Sequence, residues 1–270
     1  MDASMLAVHR WPTATGSEYA LGSPPMRRVN PARSSYSRHQ NVMLFAVTFP
    51  KMTLIGVFTV NLSLGIDSMD SNADKIIDLY ERHAHDYVAD RRSVGWNETA
   101  WLDRFSRLLS QGASILDIGC GSGEPIARYL IDQGFAVDGV DSSPTLIAIC
   151  RGRFPQRSWH VADMRALALE DAFDGLLAWD SFFHLAHDDQ RRMFPIFKRH
   201  ASPGAALMFT SGASYGEAIG AYHGEPLYHA SLAPEEYRTL LKSAGFRVVA
   251  HVAEDLNCGG HTIWLAQAEH

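Results

Sequence analysis

Residues 115–125 read ILDIGCGSGEP: an aliphatic run ends at an acid, and three of the next six residues are glycine. A short apolar run that stops at glycines reads as a buried strand entering a tight turn. Gly119, Gly121 and Gly123 let the chain turn sharply and bring backbone amides at the start of the next helix close to a ligand, whose space a side chain there would fill. Outward from this stretch, short apolar runs at 114–118, 136–140, 158–161, 175–179 and 205–210 alternate with helical patterns at 125–133, 144–153 and 188–200. Strands joined by crossover helices predict an α/β fold with a mainly parallel sheet covered on both faces. After a helix at 234–244, closed by Gly245, runs at 246–252 and 262–266 follow so closely that they must pair as an antiparallel hairpin. Two helices precede the first strand. Ile76, Ile77, Leu79, Tyr80 and His83 mark one, behind Ser71 and Asn72 as caps, and Trp101, Leu102, Phe105, Leu108 and Leu109 mark the other.

The chain has 270 residues, 46% of them hydrophobic, enough for a substantial core. A net charge of -6 gives no reason to expect a nucleic-acid partner. Cys120, Cys150 and Cys258 are widely spaced and odd in number, which fits reduced thiols in a cytoplasmic protein. Charge is unevenly spread: residues 1–68 hold six basic and three acidic side chains, the remainder 18 and 27. The first forty residues are rich in Ser, Pro, Arg and Ala without hydrophobic period, and disorder is expected there. Residues 42–66 are apolar, but Pro50-Lys51 interrupts them and leaves a run of about 15 residues, short of the roughly 20 that span a bilayer. A signal peptide fits poorly. A membrane anchor, a docked extra strand or helix, and a non-native extension ahead of Met69 are the readings, of which the third is preferred. The expected organisation is an extension over 1–68 and one domain over 69–270.

The run FAVDGVD ends in Asp141, and a carboxylate at the end of a second strand is suited to accept two hydrogen bonds from a ribose diol. A dinucleotide motif, G-x-G-x-x-G, would need glycine where Glu124 stands. Asp117 and Glu124 would also place negative charge beside a pyrophosphate. A cationic nucleoside without phosphates fits better than NAD(P), which makes an oxidoreductase the second reading.

The stretch from about Asp74 to Ala266 resembles the class I S-adenosylmethionine-dependent methyltransferases, in particular small bacterial enzymes acting on small molecules. The resemblance rests on Asp117-Ile-Gly119-Cys-Gly121-Ser-Gly123, on Asp141 followed by Ser142-Ser143-Pro144, on Asp163-Met164 in VADM, on AWDSFFHL at 178–185, and on the terminal hairpin. It implies a Rossmann-like sheet of seven strands, with S-adenosylmethionine as cofactor. Asp117 and the three glycines would then form the loop, Asp141 and Ser142 meet the ribose, and Asp163 and Met164 meet the adenine. Trp179 would wall the cofactor pocket, and Tyr80, Tyr87 and Arg91, in LYERHAHDYVADRR, would face the cofactor carboxylate or the acceptor. A non-catalytic protein that senses the same ligand stays open as a further alternative.

Methyl transfer from a sulfonium is an in-line displacement with an activated leaving group, so alignment and desolvation dominate. A phenol, amine or carbon acid as acceptor calls for a base, and His184 in SFFHL is the candidate; otherwise it merely lines the pocket. His184, His187, His223, His229 and His261 have neither a cysteine partner nor HExxH-like spacing, and no metal is expected from them. The stretch SGASYGEAIGAYHGEPLYHASL, residues 211–232, is long for a plain connection and reads as an acceptor-binding loop for a small polar or aromatic molecule.

Overall fold

The computed structural model describes residues 72–93 and 96–269, with the backbone of 45–49 and 52–56. The expected disorder over the first forty residues lies outside these. Within the expected extension, β1 (Phe45–Phe49) and β2 (Met52–Gly56) pair antiparallel as a unit of their own. No helix among the described residues is long and apolar enough to cross a membrane.

The second unit is a seven-stranded sheet. It is built from β3 (Ser114–Ile118), β4 (Ala136–Asp141), β5 (Trp159–Val161), β6 (Phe173–Ala178), β7 (Ala201–Ser211), β10 (Phe246–Asp255) and β11 (His261–Ala268), in the spatial order β10-β11-β7-β6-β3-β4-β5. Strands β3 to β7 are mutually parallel, and β11 runs antiparallel to both β7 and β10. The class read from the sequence, an α/β, mainly parallel, Rossmann-like sheet with a terminal antiparallel hairpin, is the fold found. Successive residues of β3 feed opposite faces: Ile115 enters a core with Phe105, Val137 and Leu177, whereas Leu116 joins Leu176, Phe209 and Trp264 on the other side. Both cores are fully buried, as a parallel sheet requires.

Seven helices accompany the sheets among the described residues. They are α1 (Lys75–Arg82), α2 (Ala84–Ser93), α3 (Thr99–Ser106), α4 (Ile126–Asp132), α5 (Pro144–Arg153), α6 (His187–His200) and α7 (Pro234–Ser243). α5 starts where its residues say it should: Ser143 caps Leu146 N–H at 3.1 Å, and Pro144 occupies the first turn. Two expectations fail. Three helices, not two, stand before β3, because the chain leaves helical geometry at His83 and α2 starts at Ala84, and the first helix is capped by Asp74 in place of Ser71 or Asn72. The segment expected as a loop over 211–232 contains a hairpin, β8 (Gly216–Tyr222) with β9 (Glu225–Ser231), turning through His223 and Gly224 at φ of 47° and 84°. A two-residue turn with both φ positive suits the strand twist. Its signal was present as a Gly preceded by a polar residue between two seven-residue runs.

Candidate active site

The strand order reverses at β3, between β4 and β6, and a crevice at the carboxyl ends of these strands follows from that topology. A cavity of about 740 Å³, counting its open mouth, lies there. It gathers residues from five separate segments: Tyr80 and Tyr87 from the leading helices, Gly119 and Gly121 after β3, Asp141 and Ser142 at the end of β4, Asp163 and Met164 after β5, and Asp180, Ser181 and His184 after β6. Nine of the residues singled out from sequence thus share one cavity. Asp117, Gly123, Trp179 and Arg91 do not line it.

The reason for glycine differs from the one expected. A Cβ on Gly119 would stand 2.3 Å from Cβ of Ser181, and one on Gly121 would stand 2.8 Å from the Tyr87 ring, both at positive φ. The space these side chains would take belongs to the protein's own walls. Ser181 is fixed there because its Oγ donates to Ile118 O at 2.7 Å. The loop is therefore pressed between β6 and α2, and this exposes its backbone to the cavity. Gly123 points elsewhere, toward Phe154 at 2.9 Å, and serves packing behind the loop.

Asp141 organises the loop it faces. Its Oδ2 accepts from Gly121 N–H at 2.9 Å and its Oδ1 from Ser143 N–H at 2.9 Å. A carboxylate has about four acceptor positions, and with Ser142 N–H as a third backbone donor one remains for a ligand. Burial raises the Asp141 pKa, and the backbone donors of Ser143, Gly121 and Ser142 pull it back. Asp117 lies behind the loop, 3% exposed, where burial and then the charge of Asp141 push it up to about 7. Asp163 caps the turn at Met164–Ala166 and is gripped by Arg165, whose guanidinium also meets Asp74 at 2.6 Å and Asp189 at 3.5 Å. Glu81 accepts from Ser143 Oγ and, at 2.6 Å, from Thr145 Oγ1, tying α1 to the start of α5. These tethers hold the leading helices over the sheet, and sequence reasoning did not find them because each joins residues more than sixty positions apart.

The other end of the cavity carries the proton-handling groups. His184 is buried; its Nδ1 lies 2.8 Å from Tyr228 O and its Nε2 lies 3.0 Å from Tyr80 Oη. A carbonyl only accepts, so Nδ1 bears the hydrogen and Nε2 receives the Tyr80 hydroxyl. Burial holds the Tyr80 phenol well above its ordinary pKa. His229 of β9 lies tilted against His184, ring centres 4.9 Å apart, and burial pushes its pKa down to about 4, which leaves it neutral. Asp180, at φ 49°, pairs with His261 at 2.9 Å. Burial opposes the charged His261 ring, but Asp180, together with Cys258 O at 2.6 Å, overrides it and pushes the pKa up to about 11.

Trp179, expected in the pocket wall, is 4% exposed and packs in the sheet core beside His261, ring centres 5.4 Å apart. Residues before it in β6 alternate faces, which turns its side chain away from the cavity. Arg91 is held by Glu98 at 3.0 Å and borders a separate hollow with Trp96, Glu124 and Arg128. Burial opposes its charge, yet Tyr87, Asp180 and Glu98 together hold its pKa above the ordinary arginine range.

The charged side chains lining the cavity are three carboxylates, Asp141, Asp163 and Asp180, and one guanidinium, Arg165, already engaged by acids. Such a balance repels phosphate and attracts a cation.

Residues 115–204 match the family model for a methyltransferase domain. An O-methyltransferase of Pyrenophora dematioidea is 28% identical over 165 residues, covering 56% of this chain and 61% of that protein. A second O-methyltransferase, resE of Aspergillus sclerotiorum, is 29% identical over 152 residues, covering 52% and 57%. The chain thus spans about three fifths of the length of these relatives. The solved structure of the 1,6-didemethyltoxoflavin-N1-methyltransferase of Burkholderia thailandensis superposes with a TM-score of 0.58 at 20% identity, covering 73% of this chain and 89% of that one. The matched segment contains the whole glycine loop, Asp141 and Asp163, on a sheet of the same fold. Residues 115–204 thus carry a methyltransferase domain, on the fold of the S-adenosylmethionine-dependent methyltransferases.

Proposed function

We propose that this chain binds S-adenosylmethionine in the cavity at the ends of β3 and β4 and transfers its methyl group to an oxygen or nitrogen of a small molecule. The observation that carries the reading is the acid-lined, phosphate-averse cavity in which the glycine loop, Asp141 and Asp163 converge. When bound, the cofactor supplies an electrophilic methyl group on a sulfonium. Asp141, at the cavity edge, would hold a ribose hydroxyl, and Asp163 and Met164 would border the base. Gly119 and Gly121 would present backbone to the amino-acid portion, with Asp117 behind them. Arg91 and Trp179 would act from outside the cavity wall, through Tyr87 and through packing.

On the acceptor side, Tyr80 and His184 form a relay. An acceptor hydroxyl or amine gives its proton to Tyr80 Oη while the Tyr80 hydrogen passes to His184 Nε2, whose ring is oriented by Tyr228 O. His184 becomes imidazolium and Tyr80 keeps its hydrogen count. The curated relatives include O-methyltransferases and the structural relative is an N-methyltransferase, which supports both acceptor atoms without choosing between them.

The test is a mass-spectrometric methyl-transfer screen over small alcohols, phenols, carboxylates and amines. A product one methyl heavier is expected, with kcat lowered about 10²- to 10⁴-fold in His184→Ala and in Tyr80→Phe. Unchanged kcat in both variants would remove the relay. Cofactor binding without turnover across the panel would turn the reading toward a binding protein.

A further inference from the structure

Away from the cavity, at the outer end of the leading helices, two histidines and a carboxylate converge: His83, Asp86 and His223 offer ligand atoms that all lie within 4.8 Å of one another. We propose that they form a site for a divalent transition metal of the zinc class, stapling the α1–α2 junction to the β8–β9 turn.

The chain places these groups deliberately in three respects. His83 ends α1 and Asp86 stands three positions on, in the first turn of α2, so the helix break puts both side chains on one side. His83 Nδ1 already lies 3.2 Å from Asp86 Oδ2. With metal–ligand distances of about 2.0–2.2 Å, two ligands of one tetrahedral ion stand about 3–4 Å apart, so this pair needs no rearrangement. His223 comes from a segment some 140 positions away and holds a left-handed backbone, φ 47°, that only a tight turn imposes. Its ring lies nearly parallel to that of His83, centres 5.2 Å apart.

The surroundings complete the pattern. His83 Nε2 is 2.7 Å from Glu225 Oε1, and His223 Nε2 is 2.9 Å from Asp90 Oδ2. Each imidazole therefore has a carboxylate on its Nε2; His83 Nδ1 also faces Asp86, so without an ion both His83 nitrogens donate, and a bound ion would take the place of the Nδ1 proton. A carboxylate behind each histidine is how protein metal sites orient and strengthen imidazole ligands. Two imidazoles and one carboxylate are a borderline donor set, suited to Zn²⁺, Co²⁺ or Ni²⁺ over Mg²⁺ or Ca²⁺. The staple would act on the cavity's roof, since Tyr222 of β8 packs on Tyr80 with ring centres 5.9 Å apart. The sequence hid the site because its ligands have no common motif: spacing links only His83 and Asp86.

The test uses the full chain with Co²⁺ or Zn²⁺ alone in a non-chelating buffer. One saturable ion per chain is expected by calorimetry, with Co²⁺ giving visible ligand-field bands. His83→Ala and His223→Ala should each weaken binding at least about tenfold. Asp86→Asn, which keeps shape, should weaken it as well, and His160→Ala on β5 should leave it intact. Circular dichroism verifies the fold of each variant. Absence of saturable binding, or unchanged affinity in folded His223→Ala or Asp86→Asn, overturns the proposal.

Discussion

The two halves of the cavity are built differently. The cofactor half is made by consecutive loops at the ends of β3, β4 and β5, each a few residues from the strand that places it. The acceptor half is made by contacts across the chain: Tyr80 meets His184 over 104 positions, and His184 meets Tyr228 over 44. A half held by a parallel sheet core tolerates little displacement, whereas a half held by helices and a two-stranded hairpin rests on a few polar tethers. At glycines, where no charge is buried, substitutions in the first should cost more stability than substitutions in the second.

The largest effect is expected at the pair that anchors the loop after β6. His261→Gln leaves the Asp180 charge buried and should cost about 3–5 kcal/mol in urea unfolding. Because the folded pKa of His261 is raised to about 11, its contribution is full below about pH 6.5 and is lost as pH rises toward 11. Gly119→Ala comes next. A Cβ 2.3 Å from Ser181 at φ 79° should destabilise by about 3 kcal/mol, measured the same way. Gly220→Ala in β8 meets nothing closer than 3.5 Å and should change stability by less than about 1 kcal/mol. Equal losses at these two glycines would break the comparison.

Asp117→Asn goes the other way. The folded state holds the Asp117 proton more tightly than the unfolded chain does, so this group lowers stability progressively from about pH 4 to about pH 7. At pH 8 the asparagine variant should be more stable by about 2 kcal/mol, and at pH 4 the two should converge. A variant with no advantage over the wild type at pH 8 would show Asp117 to be solvated as a carboxylate.

The same division governs what could be read in the sequence. Within the cofactor half, α5 begins and ends where the pattern of Ser143-Pro144 and its apolar residues puts it, and β3 matches residue for residue, because propensity, capping and burial agree locally. The role of each glycine was less legible. Ser181 and Tyr87, which make Gly119 and Gly121 obligatory, are remote in sequence. Trp179 was misplaced for a related reason: a strand residue's face depends on register, and one position separates the cavity side, Asp180, from the core. In the acceptor half, β8 and β9 escaped notice because Gly, Tyr and His dominate 211–232 and mask the alternation that burial reveals along β8. His83, where the chain leaves helical geometry, meets Glu225 at 2.7 Å, a partner no local rule reaches.

Calorimetric titration with S-adenosylhomocysteine tests the central claim most directly. One saturable site is predicted for the full chain, weakened about 10- to 100-fold by Asp141→Asn, which keeps the side chain's shape but removes the charged acceptor. Absence of binding, or equal affinity in that variant, would contradict the assignment of the cavity to the methyl donor.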